Sequence, residues 1–474
     1  MNLAICLWML LAASGSGRID SVHVAEPSPA RLSPALDSLR GRPLVEDTVR
    51  NWMFHAVDEQ VSKGFLAAST TASLAASADS GTILDMEAAA GQRFSWGTVR
   101  DADSTRMDSR VLTRLSGLGH GEPADPARMD EAMRRILSTG YVDQDAPPRP
   151  LREPRSALVD MVVHLRDRPA STIEAAGGWT EGSVSSGYVE MHLVDILGTA
   201  RDLDFGISQG AAGLQAHAAW KEPWIGPLDL QVRASGDISE DTLARILEGN
   251  LDLAWTSADG STTILGGLTA AQRVERAPGD TVFGVEDDEW GTRAGLDWSS
   301  SPPPAWPLSL LSISNLLEAV QVVSDTGNTE RVRLQTIVQA FHPVGPFVLH
   351  LGANARGIWP LDASAGLSEA ETPGGIRGWR GWPEGSPRTP SWAWATLEAR
   401  LGSSRSGGVE AFFEPGVRAL RQPDLSWAAS PSWSAGGGAE LIFPGWLVEL
   451  AIAMRNDTPD WTQALLQVRA VNRF

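Results

Sequence analysis

Beyond residue 168 the chain alternates apolar and polar residues with period two. In residues 445–456, GWLVELAIAMRN, Trp446, Val448, Leu450, Ile452 and Met454 share one face, with Glu449 and Arg455 on the other. Residues 331–341 set Val332, Leu334, Val338 and Ala340 against Arg331, Arg333, Gln335 and Gln339. The closing segment sets Leu466, Val468, Ala470 and Phe474 against Gln467, Arg469 and Arg473. Such alternation is the mark of a strand with one apolar face. It suits either a soluble sandwich with that face inward or a transmembrane barrel with that face to lipid and a wet interior. Counting favours the barrel. Sixteen runs begin near residues 171, 185, 200, 211, 228, 243, 262, 291, 309, 331, 347, 391, 408, 433, 445 and 461. Strands of about ten residues leave about ten per connection, as a membrane barrel requires, whereas a soluble sandwich of this size would be unusually large.

Before residue 168 the pattern is mixed, and it occurs twice. Residues 18–25 alternate like a strand, a short helical stretch follows at 33–40, and after Gly41 and Pro43 a longer helix carries Val45, Val49, Trp52, Met53, Ala56 and Val61 at helical spacing. Strand-like runs follow at 65–75 and 82–89. The second copy opens with Phe94–Val99 and a helix bearing Val111, Leu112 and Leu115. Its next helix has Asp125 as N-cap and Pro126 at the first position, then Met129, Ala132, Met133, Ile136 and Leu137. A strand at 157–166 closes it. The reading is two small α+β domains, 18–90 and 91–168, each in the order β-α-α-β-β, followed by an antiparallel sixteen-stranded transmembrane barrel over 169–474.

Composition refines this. The formal charge of -19 excludes a nucleic-acid partner, which needs a basic face. Residues 3–13, LAICLWMLLAA, are too short to span a bilayer as a helix but suit the core of a secretory signal peptide over 1–17. A buried N-terminal element is the alternative. The single cysteine, Cys6, lies in that segment, so the exported chain is expected to hold no disulfide or zinc-thiolate site. The eight histidines show no His-x-x-x-His pairing, there is no Gly-x-Ser-x-Gly, and neither metal, cofactor nor catalysis is expected. The chain has 19 Trp, and Trp220, Trp224, Trp290, Trp298, Trp446 and Trp461 are expected to form aromatic girdles, with core or sugar-stacking roles as the alternative.

The sharpest local feature is residues 372–387, TPGGIRGWRGWPEGSP. No helix follows it, so a phosphate-binding loop is rejected. Ile376-Arg377-Gly378-Trp379 resembles the Val-Arg-Gly-Phe/Tyr signature on the sixth extracellular loop of the BamA/TamA outer-membrane assembly superfamily. The next strand-like run holds Glu398, matching the family's acidic position, and the one after holds Phe412-Phe413-Glu414, similar to its Phe-x-Asp signature. Alternation puts Glu410, Phe412 and Glu414 on one face.

The resemblance covers nearly the whole chain. It implies that the two N-terminal repeats are POTRA (polypeptide-transport-associated) domains in the periplasm of a bacterial cell and that the barrel sits in outer-membrane lipid. It implies further that the loop folds into the barrel, with Arg377 bonded to Glu398 and Glu414 beside Phe412. Terminal Phe474 would belong to the signal for the barrel's own insertion. The implied role is a non-enzymatic factor that receives unfolded envelope or outer-membrane proteins, with periplasmic or inner-membrane accessory proteins as further partners. Clients would leave through a weak seam between strands at 171–181 and 461–474. Two-partner secretion of one exoprotein is the nearest alternative, and a secreted enzyme or carbohydrate-binding protein the more distant one.

Overall fold

A computed structural model describes residues 19–24, 46–76, 82–89, 91–103, 105–152, 155–168, 171–179, 186–210, 213–226, 228–240, 244–257, 259–276, 283–300, 310–324, 327–361, 370–403, 407–422, 424 and 426–474. The expected signal segment 1–17 and the helix at 33–40 lie outside these residues. The chain divides into two compact units, one reaching residue 167 apart from 138–141, the other holding 138–141 and 168–474.

The first unit contains two three-stranded sheets. One is built from β1 (Ile19–Val24), β2 (Ser69–Ala76) and β3 (Thr82–Ala89), in the order β1-β3-β2, with helix α1 (Glu46–Ser62) between β1 and β2 in sequence. The other is built from β4 (Ser95–Asp101), β5 (Val142–Arg152) and β6 (Leu158–Asp167), in the order β4-β6-β5, with helices α2 (Ser109–Ser116) and α3 (Ala127–Ser138). In each sheet the first strand runs parallel to the third and the second antiparallel to it. Local signals set the helix ends. Asp108 accepts from the Arg110 amide and Gly117 closes α2 with φ of 65°, while Asp125 accepts from the Ala127 amide at 3.0 Å before α3. The periodic residues Val111, Leu112, Met129, Ala132, Met133 and Ile136 are buried, as are Trp96, Val99, Met161 and Leu165 of the sheet. β2 starts four residues later than the run at 65–75, because the chain turns at Gly64 with φ of 93°.

The second unit is a closed antiparallel barrel of sixteen strands. They are β7 (Thr172–Trp179), β8 (Ser186–Leu193), β9 (Asp202–Gly210), β10 (Gly213–Glu222), β11 (Gln231–Glu240), β12 (Ala244–Thr256), β13 (Thr262–Arg276) and β14 (Phe283–Ser299). The round continues with β15 (Leu310–Ser324), β16 (Gly327–Val344), β17 (Phe347–Trp359), β18 (Trp392–Ser403), β19 (Gly407–Arg421), β20 (Trp427–Phe443), β21 (Trp446–Arg455) and β22 (Leu465–Arg473). Each strand pairs with its sequence neighbours, and β22 returns to β7 to close the ring. The expected run near 291 begins earlier, at Phe283, because β14 is 17 residues long.

The faces are inverted relative to a soluble core. On β12, Leu247, Leu251, Leu253 and Trp255 are exposed outside while Asn250 and Asp252 are buried inside. On β16, Val332 and Leu334 face out and Arg331 and Arg333 are buried. The inward charges compensate one another: Glu289 of β14 accepts from Arg273 of β13 at 3.0 Å and pairs with Arg333 of β16. An apolar exterior of this extent belongs in hydrocarbon, where only a closed sheet leaves no backbone amide unpaired. Trp220, Trp290, Trp446 and Trp461 are exposed as expected of a girdle, but Trp290 stands near the middle of its strand. Four other tryptophans, Trp379, Trp382, Trp392 and Trp394, are instead buried together inside the barrel.

Among the described residues strand length varies around the ring. β7 and β8 have 8 residues each and β22 has 9, whereas β14 has 17 and β16 has 18. Replacing Leu251, near the middle of β12, by Arg is expected to cost about 2–4 kcal/mol through transfer of the charge into hydrocarbon. The check is the urea midpoint of the folded, heat-modifiable band on a gel.

Candidate functional site

The connection between β17 and β18 leaves the rim opposite the one at which the barrel's own ends, Thr172 and Arg473, meet. It folds back inside. Backbone bonds give it a compact core: the Trp379 amide donates to Pro373 O at 2.8 Å, the Gly375 amide to Trp382 O at 3.0 Å and the Gly378 amide to Gly375 O at 3.1 Å. Two glycines are required by close approach. A Cβ on Gly378 would stand 2.1 Å from Pro373 O, and Gly381, at φ of 88°, would place one 2.8 Å from the Ser434 Cβ.

The sequence carries Arg-Gly-Trp twice in succession, at 377–379 and at 380–382. The structure gives the two copies different walls. Arg380 points to β18 and β19. Its Nε donates to Glu414 Oε1 at 2.9 Å, one terminal nitrogen to Glu410 Oε1 at 2.9 Å, and the other lies 2.7 Å from Glu398 Oε2. Its guanidinium lies 3.7 Å from the centroid of the Phe412 ring, and its backbone amide donates to Glu414 Oε2 at 2.9 Å. Glu414 also accepts from Ser434 Oγ at 3.0 Å, and Arg400 supplies a second cation to Glu398. Planar five-donor geometry lets one side chain join three carboxylates from two strands.

The aromatic residues lock this arrangement. Trp379 is fully buried, stacks on Trp394 with centroids 5.6 Å apart and donates from Nε1 to Glu414 O at 3.2 Å. The guanidiniums of Arg418 and Arg455 both lie over the Trp382 ring, at 4.1 and 4.7 Å from its centroid.

The expected pairing of Arg377 with Glu398 and Glu414 is therefore corrected. Glu398, Phe412 and Glu414 do line the acceptor wall, but the arginine among them is Arg380, three residues on. The turn at Gly378 sends the two arginines to different walls, and only the second follows Trp379 into the wall beside Trp394. Trp379 thus precedes the wall-bound arginine, and Trp382 takes the place after it. Arg377 reaches the other side: it pairs with Glu174 of β7 and Glu190 of β8, with its guanidinium 5.7 Å from the Tyr188 ring centroid. Ile376 lines a small cavity with Ala176, Gly177, Gly178 and Gly187 of the same two strands. Phe474 is exposed at the rim, and its amide donates to Ser171 O at 3.0 Å, tying the chain end to the start of β7.

Sequence reasoning missed Arg380 as the wall ligand and Glu174, Glu190 and Arg469 as a second cluster. The repeated triplet was the available signal. Glu174 is nearly inaccessible and accepts from Arg469 of β22 at 2.7 and 2.8 Å, from Arg377 and from the Tyr188 hydroxyl. Arg469 also donates to Glu449 Oε2 of β21 at 2.7 Å.

Arg380→Ala leaves three carboxylates, two of them buried, short of a cation and is expected to cost about 3–5 kcal/mol of barrel stability. Arg380→Lys recovers only part of it, since one ammonium cannot reproduce the fork. Arg377→Ala, whose side chain is 42% exposed, is expected to cost less than either. Urea midpoints of the three variants check the order.

No family model matches the chain, and no curated protein matches it. Solved structures do. CdiB from Acinetobacter baumannii is similar at a TM-score of 0.60 and 10% identity, over 98% of this chain and 91% of that one. CdiB from Escherichia coli gives 0.59 and 13%, over 100% and 94%. BamA from Haemophilus ducreyi, lacking POTRA domains 1-3, gives 0.56 and 12%, over 97% and 99%. At these identities the likeness is one of architecture, and over nearly its whole length the fold of this chain is that of BamA and CdiB.

Proposed function

We propose that the chain is a non-enzymatic outer-membrane factor of the BamA/TamA kind that inserts or exports other envelope proteins. A signal segment at 1–17 would direct it out of the cytoplasm. The repeats at 18–90 and 91–168 act as periplasmic POTRA domains, and the barrel at 169–474 lies in the outer membrane. The observation that carries this reading is the loop between β17 and β18, seated inside a closed sixteen-stranded barrel by Arg380 on Glu398, Glu410 and Glu414. A barrel serving only as an open pore has no need to fill its bore with a loop fixed by buried ion pairs.

The N-terminal sheets offer edges on which an extended client adds a strand through backbone bonds. Their edges are unequal. β5 carries Pro147, Pro148 and Pro150, which have no amide to donate, and its register with β6 is interrupted twice. β2, at an edge of the first sheet, has no proline and pairs without interruption along its partner.

The client's route into lipid is the β7–β22 seam. Its eight residue pairs are no fewer than the seven joining β7 to β8. What distinguishes it is connectivity: every other neighbouring pair is tied by a connection within the barrel, and this one is not. Parting it offers a nascent strand paired backbone on both sides without exposing amides to hydrocarbon. A second reading, secretion of one dedicated exoprotein, is favoured by the likeness to CdiB, which is as high as that to BamA.

Ala175 faces Ala470 across the seam. A disulfide between Ala175→Cys and Ala470→Cys is expected to stop client insertion or export, with recovery on reduction. Full function of the oxidised protein would sink the proposal. Depletion separates the two readings: loss of many outer-membrane proteins points to insertion, and loss of one protein from the medium points to dedicated secretion.

A further inference from the structure

We propose that Arg377 is a positioning residue that latches the lumenal loop across the β7–β22 seam, so that the seam parts only after Arg377 lets go. The inference rests on the reading of that seam as the client route.

Three observations meet here. Glu174 and Glu190 stand directly opposite each other on β7 and β8, a like-charge pair that destabilises a sheet unless a cation joins it. Arg377 is that cation, one terminal nitrogen to each carboxylate. The partner of Glu174 across the seam is Arg469, which grips both its oxygens from β22 and is itself shared with Glu449. One carboxylate on the first strand is therefore held at once by the last strand and by the loop.

The loop also touches the last strand. Trp382 O lies 3.4 Å from Gln467 Nε2 of β22, while Ile376 packs toward the glycines of β7 and β8. The segment from Ile376 to Trp382 thus contacts both sides of the seam from inside. Arg380 fixes its other flank to β18 and β19. With one end on that wall, the free end acts as a brace. Moving β7 away from β22 pulls Glu174 from Arg469 and from Arg377 together, or else drags the loop off its wall.

The half-exposed state of Arg377 suits a contact that must break. Arg380 is 9% exposed and meets three carboxylates, whereas Arg377 is 42% exposed and meets two. Water is available to the guanidinium when it leaves. The two successive triplets then divide the work between a permanent anchor and a releasable one.

The test is hydrogen–deuterium exchange of the purified full chain in phosphatidylethanolamine/phosphatidylglycerol vesicles without client. Exchange of amides in 172–179 and 465–473 reports seam opening. Arg377→Ala is expected to speed exchange in both segments about tenfold, the factor that follows from losing the charge-assisted hydrogen bond to Glu174 of the seam strand. β13 to β16 should stay at the parent rate, and heat-modifiable migration should show the variant folded. Arg377→Lys, which keeps the charge, should fall between. An unchanged seam rate overturns the proposal, and so does equal acceleration of every strand, which marks general destabilisation. The outcome stands apart from the disulfide experiment. A seam that must open for function but is indifferent to Arg377 removes the latch alone, while a seam loosened by Arg377→Ala yet dispensable for clients removes the functional reading alone.

Discussion

A hydrocarbon layer offers no partner for an amide or a carbonyl, and the barrel's organisation follows from that constraint. Sixteen strands satisfy it only by closing on themselves, which forces β22 onto β7 although no connection joins them. With apolar residues outside, alternation sends every second residue inward, and many of those residues are charged. Their charges must then be compensated within the bore. Arg273 and Arg333 on Glu289, Arg380 on three glutamates, and Arg469 on Glu174 and Glu449 are solutions to that one problem. It also explains the cation chosen. Lys63 and Lys221 are the chain's only lysines, and sites that bridge two or three carboxylates favour a planar fork over a point charge.

The loop completes the interior. Its glycines let the backbone turn inside a bore too narrow for side chains at those points, and its tryptophans fill the remaining space with flat surfaces that stack on one another and on guanidiniums. Because the ion pairs at Arg380 are buried, removing a partner is more damaging than the net strength of the pair suggests. The arrangement therefore specifies where the loop sits more than it stabilises the barrel.

Much of this was legible in the sequence, for a physical reason. A barrel strand writes its two environments at alternate positions, so Val332, Leu334, Arg331 and Arg333 announce their faces in the sequence itself. Strand count and the acidic wall at Glu398 and Glu414 followed from the same rule together with a motif. Two things were hidden. Two identical triplets have the same local chemistry, and only the fold of the turn at Gly378 decides which arginine meets which wall. The seam cluster joins residues nearly 300 positions apart, Glu174 and Arg469, each of which reads in isolation as an ordinary inward charge. Length was also misread at β14, where a Gly-rich, charged stretch at 286–295 has too little apolar character to mark a strand.

The length of β14 and β16 has a consequence for the surrounding lipid. At about 3.3 Å per residue and a tilt near 40°, their 17 and 18 residues rise about 43 and about 45 Å. The apolar band of an outer-membrane barrel is about 25 Å tall. About 20 Å of each strand therefore stands clear of hydrocarbon, so on this side of the ring paired backbone carries the wall out into water.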